Sequence, residues 1–218
     1  MMKLSWDDGH RRLSGEKGVF DPSRLLWLDG DADGTTDAGA TDMGTKGADV
    51  TPRQALRHLA HHRLLRRVPV GIIGPREATA QQCEIAHALG ASMAEHGLQL
   101  LCGGKNGVME AACEGHASRG GLPIGILPDE EWQAANAFVS IPIATGIGPA
   151  RNAIIARACI ALVAVGGGVG TLSEMALGLQ FNRLVLAMAG APPVDGVPEL
   201  TDIDDVLDRI ASRIFFAM

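Results

Sequence analysis

Tyrosine is absent from this chain of 218 residues, and aromatic residues make up only 4% of it. The chain has no apolar run of about 18 residues, the length that a transmembrane helix requires, which excludes such a span. Its 4 cysteines include no CxxC pair. Because they lie in apolar segments, we predict buried free thiols at Cys83, Cys102, Cys113 and Cys159 rather than a zinc site or disulfides.

Positive charge is also scarce in this sequence. Lys and Arg total 19 against 25 for Asp and Glu, which gives a formal net charge of −6 at pH 7. Nucleic acids and anionic membranes are bound through basic surfaces, so we expect neither as a partner. The first residues, MMKLSWDDGHRRL, lack the apolar core of a signal peptide. We therefore expect a cytoplasmic protein.

Glycine, by contrast, is abundant, with 28 residues, and hydrophobic residues make up 46% of the chain. This fraction of hydrophobic residues is enough for a sizeable core. Glycine at this level without a collagen period indicates tight turns or close approaches of the backbone to a ligand. The composition changes near residue 67, where a weakly basic segment gives way to an acidic one. We predict an N-terminal extension at 1–67 and a larger domain at 68–218.

The extension contains a segment at 29–49 that is rich in Gly, Asp and Thr, and we predict a loop there. Its alternating aspartates and Gly34 resemble the start of an EF-hand, but Ala40 stands where the bidentate Glu is required, which favours a solvated loop over a calcium site. A short strand is predicted at 24–28. Thr51 and Pro52 are typical of a helix start, and we predict a helix from there to about Arg67.

Three histidines lie on one face of this predicted helix, at His58, His61 and His62. Their spacing could serve a metal ion. Because we find no acidic or cysteine partner nearby in the sequence, and because arginines surround them, a solvated basic face is the favoured interpretation.

From residue 68 onwards, apolar strands alternate with helices. The predicted strands are 68–73, 98–102, 122–127, 138–143, 160–165 and 183–188, and the predicted helices are 78–97, 107–119, 149–158, a segment ending near Phe181, and 202–216. Continuous apolar strands indicate a parallel sheet that is covered on both faces. We therefore predict an α/β fold with a doubly wound, mainly parallel Rossmann-like sheet, which binds ligands beyond the carboxyl ends of its strands.

Three glycine-containing loops follow predicted strands: the first glycine loop (74–76, GPR), the second glycine loop (103–107, GGKNG) and the third glycine loop (166–171, GGGVGT). The first loop fails the GxGxxG fingerprint, and Cys102 and Gly103 stand where a dinucleotide fold needs an acidic residue. None of the loops matches GxxxxGK[ST]. These mismatches disfavour NAD, FAD and P-loop nucleotide binding.

The third glycine loop joins a buried strand to a helix, so its backbone N–H groups are suited to bind a phosphate. A tight turn is the structural alternative, although three consecutive glycines cost more entropy than such a turn requires. Thr171 is predicted to cap the helix, with Glu174 completing a capping box or pointing into the site. Arg151 follows GIGP at another helix start, where a cation is unfavourable unless it faces an anion or Glu174; a surface arginine is the alternative.

In this order, the segments GGKNGVMEAA, GPARNAIIARA and GGGVGTLSE resemble the LOG ("lonely guy") superfamily over residues 68–190. LOG enzymes are phosphoribohydrolases that cleave the N-glycosidic bond of nucleoside 5′-monophosphates. The resemblance implies that Glu174 and Arg151 form the catalytic pair, that no cofactor or metal is needed, and that the protein is a homo-oligomer, at least a dimer. The candidate ligand-binding residues are Gly74, Gly103, Gly104, Lys105, Asn106, Asn152, Gly167, Gly168, Val169, Gly170 and Thr171.

Several positions depart from the plant-type LOG pattern. Gly166 replaces a proline, Asn152 replaces a lysine, and Pro75-Arg76 replaces a pair of serines. These features resemble a bacterial branch of Rossmann-like nucleotide-binding proteins that is similar to the molybdenum cofactor carrier proteins, which bind a phosphorylated pterin without chemistry. Hydrolysis of a nucleoside monophosphate and carriage of a phosphorylated ligand therefore both stand as hypotheses. Stacking on a ring would fall to Trp132, to Phe138 or to neither.

Overall fold

A computed structural model of the protein describes residues 3–29 and 47–216. The chain divides into two compact units, of which the first comprises Met1–Arg66 with Ala211–Met218 and the second comprises Arg67–Ile210. The predicted loop at 29–49, with its calcium alternative, lies outside the described residues except at its ends. None of the described helices is long and apolar enough to cross a membrane.

The first unit contains a five-stranded antiparallel sheet in the order β4-β3-β2-β1-β5. Its strands are β1 (Leu4–Asp7), β2 (Arg12–Gly15), β3 (Gly18–Asp21), β4 (Leu26–Leu28) and β5 (Ala48–Val50). Only β4 was predicted from the sequence. The others were missed because each has three or four residues and buries at most two side chains, such as Leu4 and Trp6 of β1, which is too few for a recognisable alternation.

The helix of this unit, α1 (Pro52–His61), begins as predicted. The Thr51 hydroxyl accepts a hydrogen bond from the Gln54 amide at 3.2 Å, and the Gln54 side chain accepts one from the Thr51 amide at 2.8 Å. This reciprocal capping box satisfies amide groups that have no partner within the helix. The helix ends at His61, about two turns before the predicted end near Arg67.

The histidine face is less solvated than predicted. The rings of His58 and His62 stack on Trp6 with centroid distances of 5.0 and 5.7 Å. The expectation that no acidic partner lies nearby is wrong, because the Asp8 carboxylate is 3.6 Å from His62 Nε2. Among the described residues, no group of three or more His, Cys, Asp or Glu side chains is placed to hold a metal ion.

The second unit contains a six-stranded parallel sheet in the order β11-β10-β6-β7-β8-β9. The strands are β6 (Pro69–Ile73), β7 (Gln99–Cys102), β8 (Ile124–Leu127), β9 (Ile141–Ala144), β10 (Ala161–Val165) and β11 (Leu184–Met188). The remaining α-helices within the described residues are α2 (Ala80–Glu95), α3 (Val108–Ser118), α4 (Asn152–Ala158), α5 (Val169–Gln180) and α6 (Ile203–Phe216). This architecture confirms the predicted α/β, Rossmann-like class.

Two boundaries differ from the sequence prediction in ways that affect the site. Arg151 ends a short 3₁₀ helix (Gly148–Arg151) that leads directly into α4, where one continuous helix was predicted. The fourth strand of the sheet begins at Ile141, not at residue 138. All four cysteines are free thiols, as predicted; Cys83 alone is partly exposed.

The order of the strands reverses between β6 and β10. These two strands are adjacent and parallel, and the chain leaves them for opposite ends of the sheet. A doubly wound sheet opens a crevice at such a point, beyond the carboxyl ends of the strands. The first glycine loop follows β6 and the third follows β10, so both lie at this crevice.

Candidate functional site

A cleft of about 390 Å³ lies at the carboxyl ends of the strands of the second unit. Loops after β6, β8 and β10 and the starts of α3, α4 and α5 contribute to it. The lining residues are Gly74, Pro75, Arg76, Met109, Pro128, Pro149, Arg151, Asn152, Gly168, Gly170, Thr171 and Glu174. A cleft of this size can take a small ligand.

The cleft brings together part of the predicted site. The predicted residues in its lining are Gly74, Arg151, Asn152, Gly168, Gly170, Thr171 and Glu174. The predicted residues outside the lining are Gly103, Gly104, Lys105, Asn106, Gly167 and Val169. The binding roles of all these residues stay predictions, but their positions divide them into cleft residues and supporting residues.

Lys105 belongs to the supporting residues. Its ammonium group donates to Asp129 Oδ2 at 3.0 Å and to the carbonyl oxygen of Ala134 at 2.7 Å. The Asn136 side-chain amide donates to the Lys105 carbonyl at 3.0 Å. These bonds join the second glycine loop to the segment after β8, so the lysine charge is already paired within the protein.

Arg151 and Glu174 form a buried ion pair in the wall of the cleft. Arg151 Nη1 lies 2.9 Å from Glu174 Oε1, and each residue is only 7% exposed. Arg151 Nη1 also donates to Asn152 Oδ1. The expectation that Arg151 faces Glu174 is therefore met by the geometry, and the pair explains how a cation is tolerated beside a helix start.

Burial raises the pKa of Glu174 to about 7, although the neighbouring Arg151 charge and its hydrogen bond act to lower it. Desolvation disfavours the carboxylate more than the guanidinium stabilises it. A carboxyl group with such a pKa exists in both protonation states near neutral pH, which is the property that general acid or base chemistry requires.

The third glycine loop leads into α5 three residues earlier than predicted, because the N-cap is Gly168 and not Thr171. Gly168 is the N-cap residue, and its carbonyl accepts from the Leu172 amide at 2.9 Å. Thr171 therefore lies in the first turn and is buried, and the predicted capping box between Thr171 and Glu174 is wrong. Because α5 begins at Val169, Thr171 already lies inside the helix and is not its N-cap. A Cβ on Gly167 would lie 2.5 Å from the Thr171 side chain, so glycine there leaves room for the threonine.

Sequence reasoning missed several cleft residues, above all Arg76. It directly follows Gly74-Pro75 at the end of β6. The sequence placed it in the first glycine loop and marked it as a departure from the LOG pattern, but it was given no binding role. Met109 and three prolines (Pro75, Pro128, Pro149) supply apolar lining. Neither candidate for ring stacking lines the cleft: Trp132 is 59% exposed, and Phe138 is half-buried elsewhere.

A parallel, doubly wound sheet with a glycine loop and a helix start at its strand-reversal point defines a Rossmann-like domain with a ligand cleft. The model of the SLOG cluster4 family matches residues 67–209, and the chain belongs to this family, within the LOG-like superfamily. The predicted resemblance is thereby confirmed. A protein of Archaeoglobus fulgidus, described as uncharacterized, is 42% identical over 130 residues, which are 60% of this chain and 84% of that protein.

Two solved structures are similar to about two thirds of this chain. One is the molybdenum cofactor binding protein from Rippkaea orientalis, with 34% identity, a TM-score of 0.64, and coverage of 68% of this chain and 98% of that one. The other is the molybdenum cofactor carrier protein from Chlamydomonas reinhardtii, with 34% identity, a TM-score of 0.63, and coverage of 68% and 99%.

Proposed function

We propose that this protein binds and carries a small phosphorylated heterocycle, of which the molybdenum cofactor is the leading candidate. The observation that carries the proposal is the cleft at the reversal point between β6 and β10, bounded by the third glycine loop. Two solved structures support the proposal: a molybdenum cofactor binding protein and a molybdenum cofactor carrier protein. Each is 34% identical to this chain and is covered by it almost completely.

The phosphate end of the ligand is assigned to the start of α5. Gly168 and Gly170 line the cleft, and no atom lies within 4 Å of the position of a Cβ on either residue. A phosphate can therefore approach the first amide groups of the helix, where the helix dipole also favours negative charge.

The heterocyclic end is assigned to the apolar part of the cleft, formed by Met109 and the prolines Pro75, Pro128 and Pro149. The flexible thioether of Met109 can adapt to the face of a ring. The absence of an aromatic residue from this lining means that ring binding rests on such contacts and on shape rather than on stacking.

The test is retention of cargo. The protein is purified from cells that synthesise the molybdenum cofactor, and its molybdenum is measured by mass spectrometry and its pterin by fluorescence after oxidation. The wild type is compared with the variant Gly170→Asp, which places a carboxylate where the phosphate is expected. Aspartate is compatible with a helix start. We expect cargo on the wild type and at least a tenfold loss on the variant; an equal amount on both, or none on the wild type after mixing with cofactor, contradicts the proposal.

A second candidate function is hydrolysis of a nucleoside 5′-monophosphate, and the Arg151–Glu174 pair favours it. The ribose gains positive charge as the bond to the base breaks. Glu174 can stabilise this charge or take a proton from the attacking water, which bonds to C1′ as the base leaves with the bonding electrons and is then protonated. Arg151 orients the carboxyl group.

Chromatography of AMP, CMP, GMP and N6-isopentenyl-AMP before and after incubation separates the two functions. Release of free base by the wild type and not by Glu174→Gln establishes the hydrolase. No base from any of these nucleotides, together with retained cargo, leaves carriage as the function.

The homo-oligomer implied by the LOG resemblance is also a proposal. The described residues of α4 and α5 expose large apolar side chains, among them Ile154, Leu172 and Val169, the last 85% exposed. Such surfaces are typical of protein interfaces. Light scattering coupled to gel filtration is expected to give at least twice the chain mass of 22.8 kDa; a monomer at micromolar concentration contradicts the proposal.

A further inference from the structure

The cleft contains two arginines, and their situations differ. Arg151 is committed to the protein: its Nη1 bonds Glu174 and Asn152, and its Nη2 packs against Gly103, where a Cβ would lie 2.4 Å away. Its charge is largely offset by Glu174 above the pKa of that carboxyl group. Arg151 Nε is buried and has no hydrogen-bond partner among the described residues.

Arg76 lines the same cleft and is exposed. Within residues 3–29 and 47–216, no hydrogen bond or ion pair joins its guanidinium to another side chain. The pKa of Asp129 is lowered chiefly by its hydrogen bond with Lys105 and less by the charge of Arg76, and that carboxylate is already paired with Lys105 at 3.0 Å. The cation of Arg76 is therefore uncompensated at the mouth of the cleft.

The main chain that carries Arg76 is nevertheless held firmly. The Val108 amide donates to the Pro75 carbonyl at 3.2 Å. Gly107 presses against the same peptide, since a Cβ there would lie 2.3 Å from the Arg76 carbonyl oxygen. Pro75 also restricts its own backbone. A fixed backbone with an uncommitted guanidinium is a preorganised arrangement for binding an anion.

We infer that Arg76 is the side chain that binds the phosphate of the ligand, together with the start of α5, and that Arg151 serves to position Glu174. This inference rests on the proposed function and adds the charge of the ligand that the cleft selects. The first and third glycine loops meet at the reversal point, so one anion can contact both. The ligand class is then a phosphate monoester dianion on an uncharged ring, bound more tightly than the same ring without phosphate.

The test compares three probes: inorganic phosphate, GMP and guanosine. The 2-amino-6-oxo edge of guanine presents the same groups as the 2-amino-4-oxo edge of a pterin. Calorimetric titration of the wild type, Arg76→Lys and Arg76→Gln is run at low and high salt. The matched control is Arg119→Gln, an exposed arginine of the same unit outside the cleft. Because Arg76 is exposed and unpaired, the thermal midpoints of its variants are expected to match that of the wild type.

We expect Arg76→Gln to weaken binding of phosphate and GMP at least tenfold and to leave guanosine binding unchanged. The affinity of Arg76→Lys for phosphate and GMP is expected to lie between those of the wild type and Arg76→Gln, because an ammonium keeps the charge but not the bidentate geometry. The affinities of Arg119→Gln are expected to match those of the wild type. Phosphate binding by Arg76→Gln within twofold of the wild type overturns the inference even if cargo is retained. An Arg76-dependent affinity for phosphate without any retained molybdenum or pterin upholds it while the carrier function fails.

Discussion

The second and third glycine loops have similar sequences, GGKNG and GGGVG, but use glycine for different reasons. In the second loop, a Cβ at Gly103, Gly104 or Gly107 would meet another atom at 2.3 to 2.5 Å. In the third loop, Gly168 and Gly170 have open space beside them and line the cleft. The second loop needs glycine because its neighbours press against it. The third loop is crowded in the same way at Gly166 and Gly167, but at Gly168 and Gly170 it leaves its backbone open to a ligand.

This difference bears on how glycine-rich motifs are interpreted. A missing side chain can serve packing within the protein or access for something outside it, and the letters of the motif are the same in both cases. The Arg151–Glu174 pair connects the two loops, because Arg151 packs against Gly103 and Glu174 lies on the helix that follows the third loop. Substitutions at single glycines can distinguish a glycine needed for packing within the protein from one that gives a ligand access to the backbone.

The largest effect is expected for Gly107→Ala. Gly107 has φ +69°, and its Cβ would lie 2.3 Å from the Arg76 carbonyl oxygen and 2.5 Å from that of Pro75. Both contacts are with backbone that cannot move aside cheaply. We expect a loss of about 3 to 5 kcal/mol in the free energy of unfolding, measured by urea denaturation.

The matched control is Gly120→Ala. Gly120 also has a positive φ, of +77°, but no atom lies within 4 Å of its Cβ position. It carries the conformational penalty without the clash, so a loss of only about 1 to 2 kcal/mol is expected. Equal losses for the two variants would show that the second loop is not tightly packed.

Much of the second unit was predictable from sequence, because its strands are short apolar runs and most of them end at glycine or proline. Arg151 and Glu174 were predictable from motif and spacing. The position of Lys105 outside the cleft lining could not be predicted, because its partner Asp129 lies 24 positions away and no local pattern links them; its binding role stays a prediction. Arg76 was missed because an isolated arginine after a strand carries no periodic signal.

The first unit was less predictable for a related reason. Its five strands pair antiparallel and contribute at most two buried side chains each, such as Leu13 of β2 and Phe20 of β3. Their stability comes from partners that are distant in the chain; Phe20, for example, packs edge-to-face on Phe215. Long-range contacts of this kind leave no local hydrophobic period.

An intermediate effect is expected from the titration of Glu174. Its pKa is 4.5 as an isolated group and about 7 in the folded protein. Between these values the folded protein binds more protons than the unfolded chain, so this group's contribution to stability is full below about pH 4.5 and is lost as the pH rises through 7. Glu174→Gln lacks this titration.

The measurement is the free energy of unfolding of both proteins at several pH values from 4 to 8. The advantage of the wild type over Glu174→Gln is expected to shrink by about 2 to 3 kcal/mol as the pH rises across this window. A difference that stays constant, or that grows with pH, would mean that Arg151 holds the carboxylate ionised and that the connection between the two loops is a permanent ion pair.

The smallest effect on stability, of opposite sign, is expected for Gly170→Ala. Gly170 is the second residue of α5, and a Cβ there meets no other atom. Alanine favours the helix, so we expect a gain of about 0.5 to 1 kcal/mol in urea denaturation. The added methyl group projects from the cleft lining and obstructs approach to the first amides of the helix, so binding of inorganic phosphate should weaken about tenfold. Gln180→Ala, an exposed change at the far end of the same helix, should leave that affinity unchanged. A Gly170→Ala protein that binds phosphate like the wild type would show that the third loop, like the second, has its glycines for packing or turning and not for access.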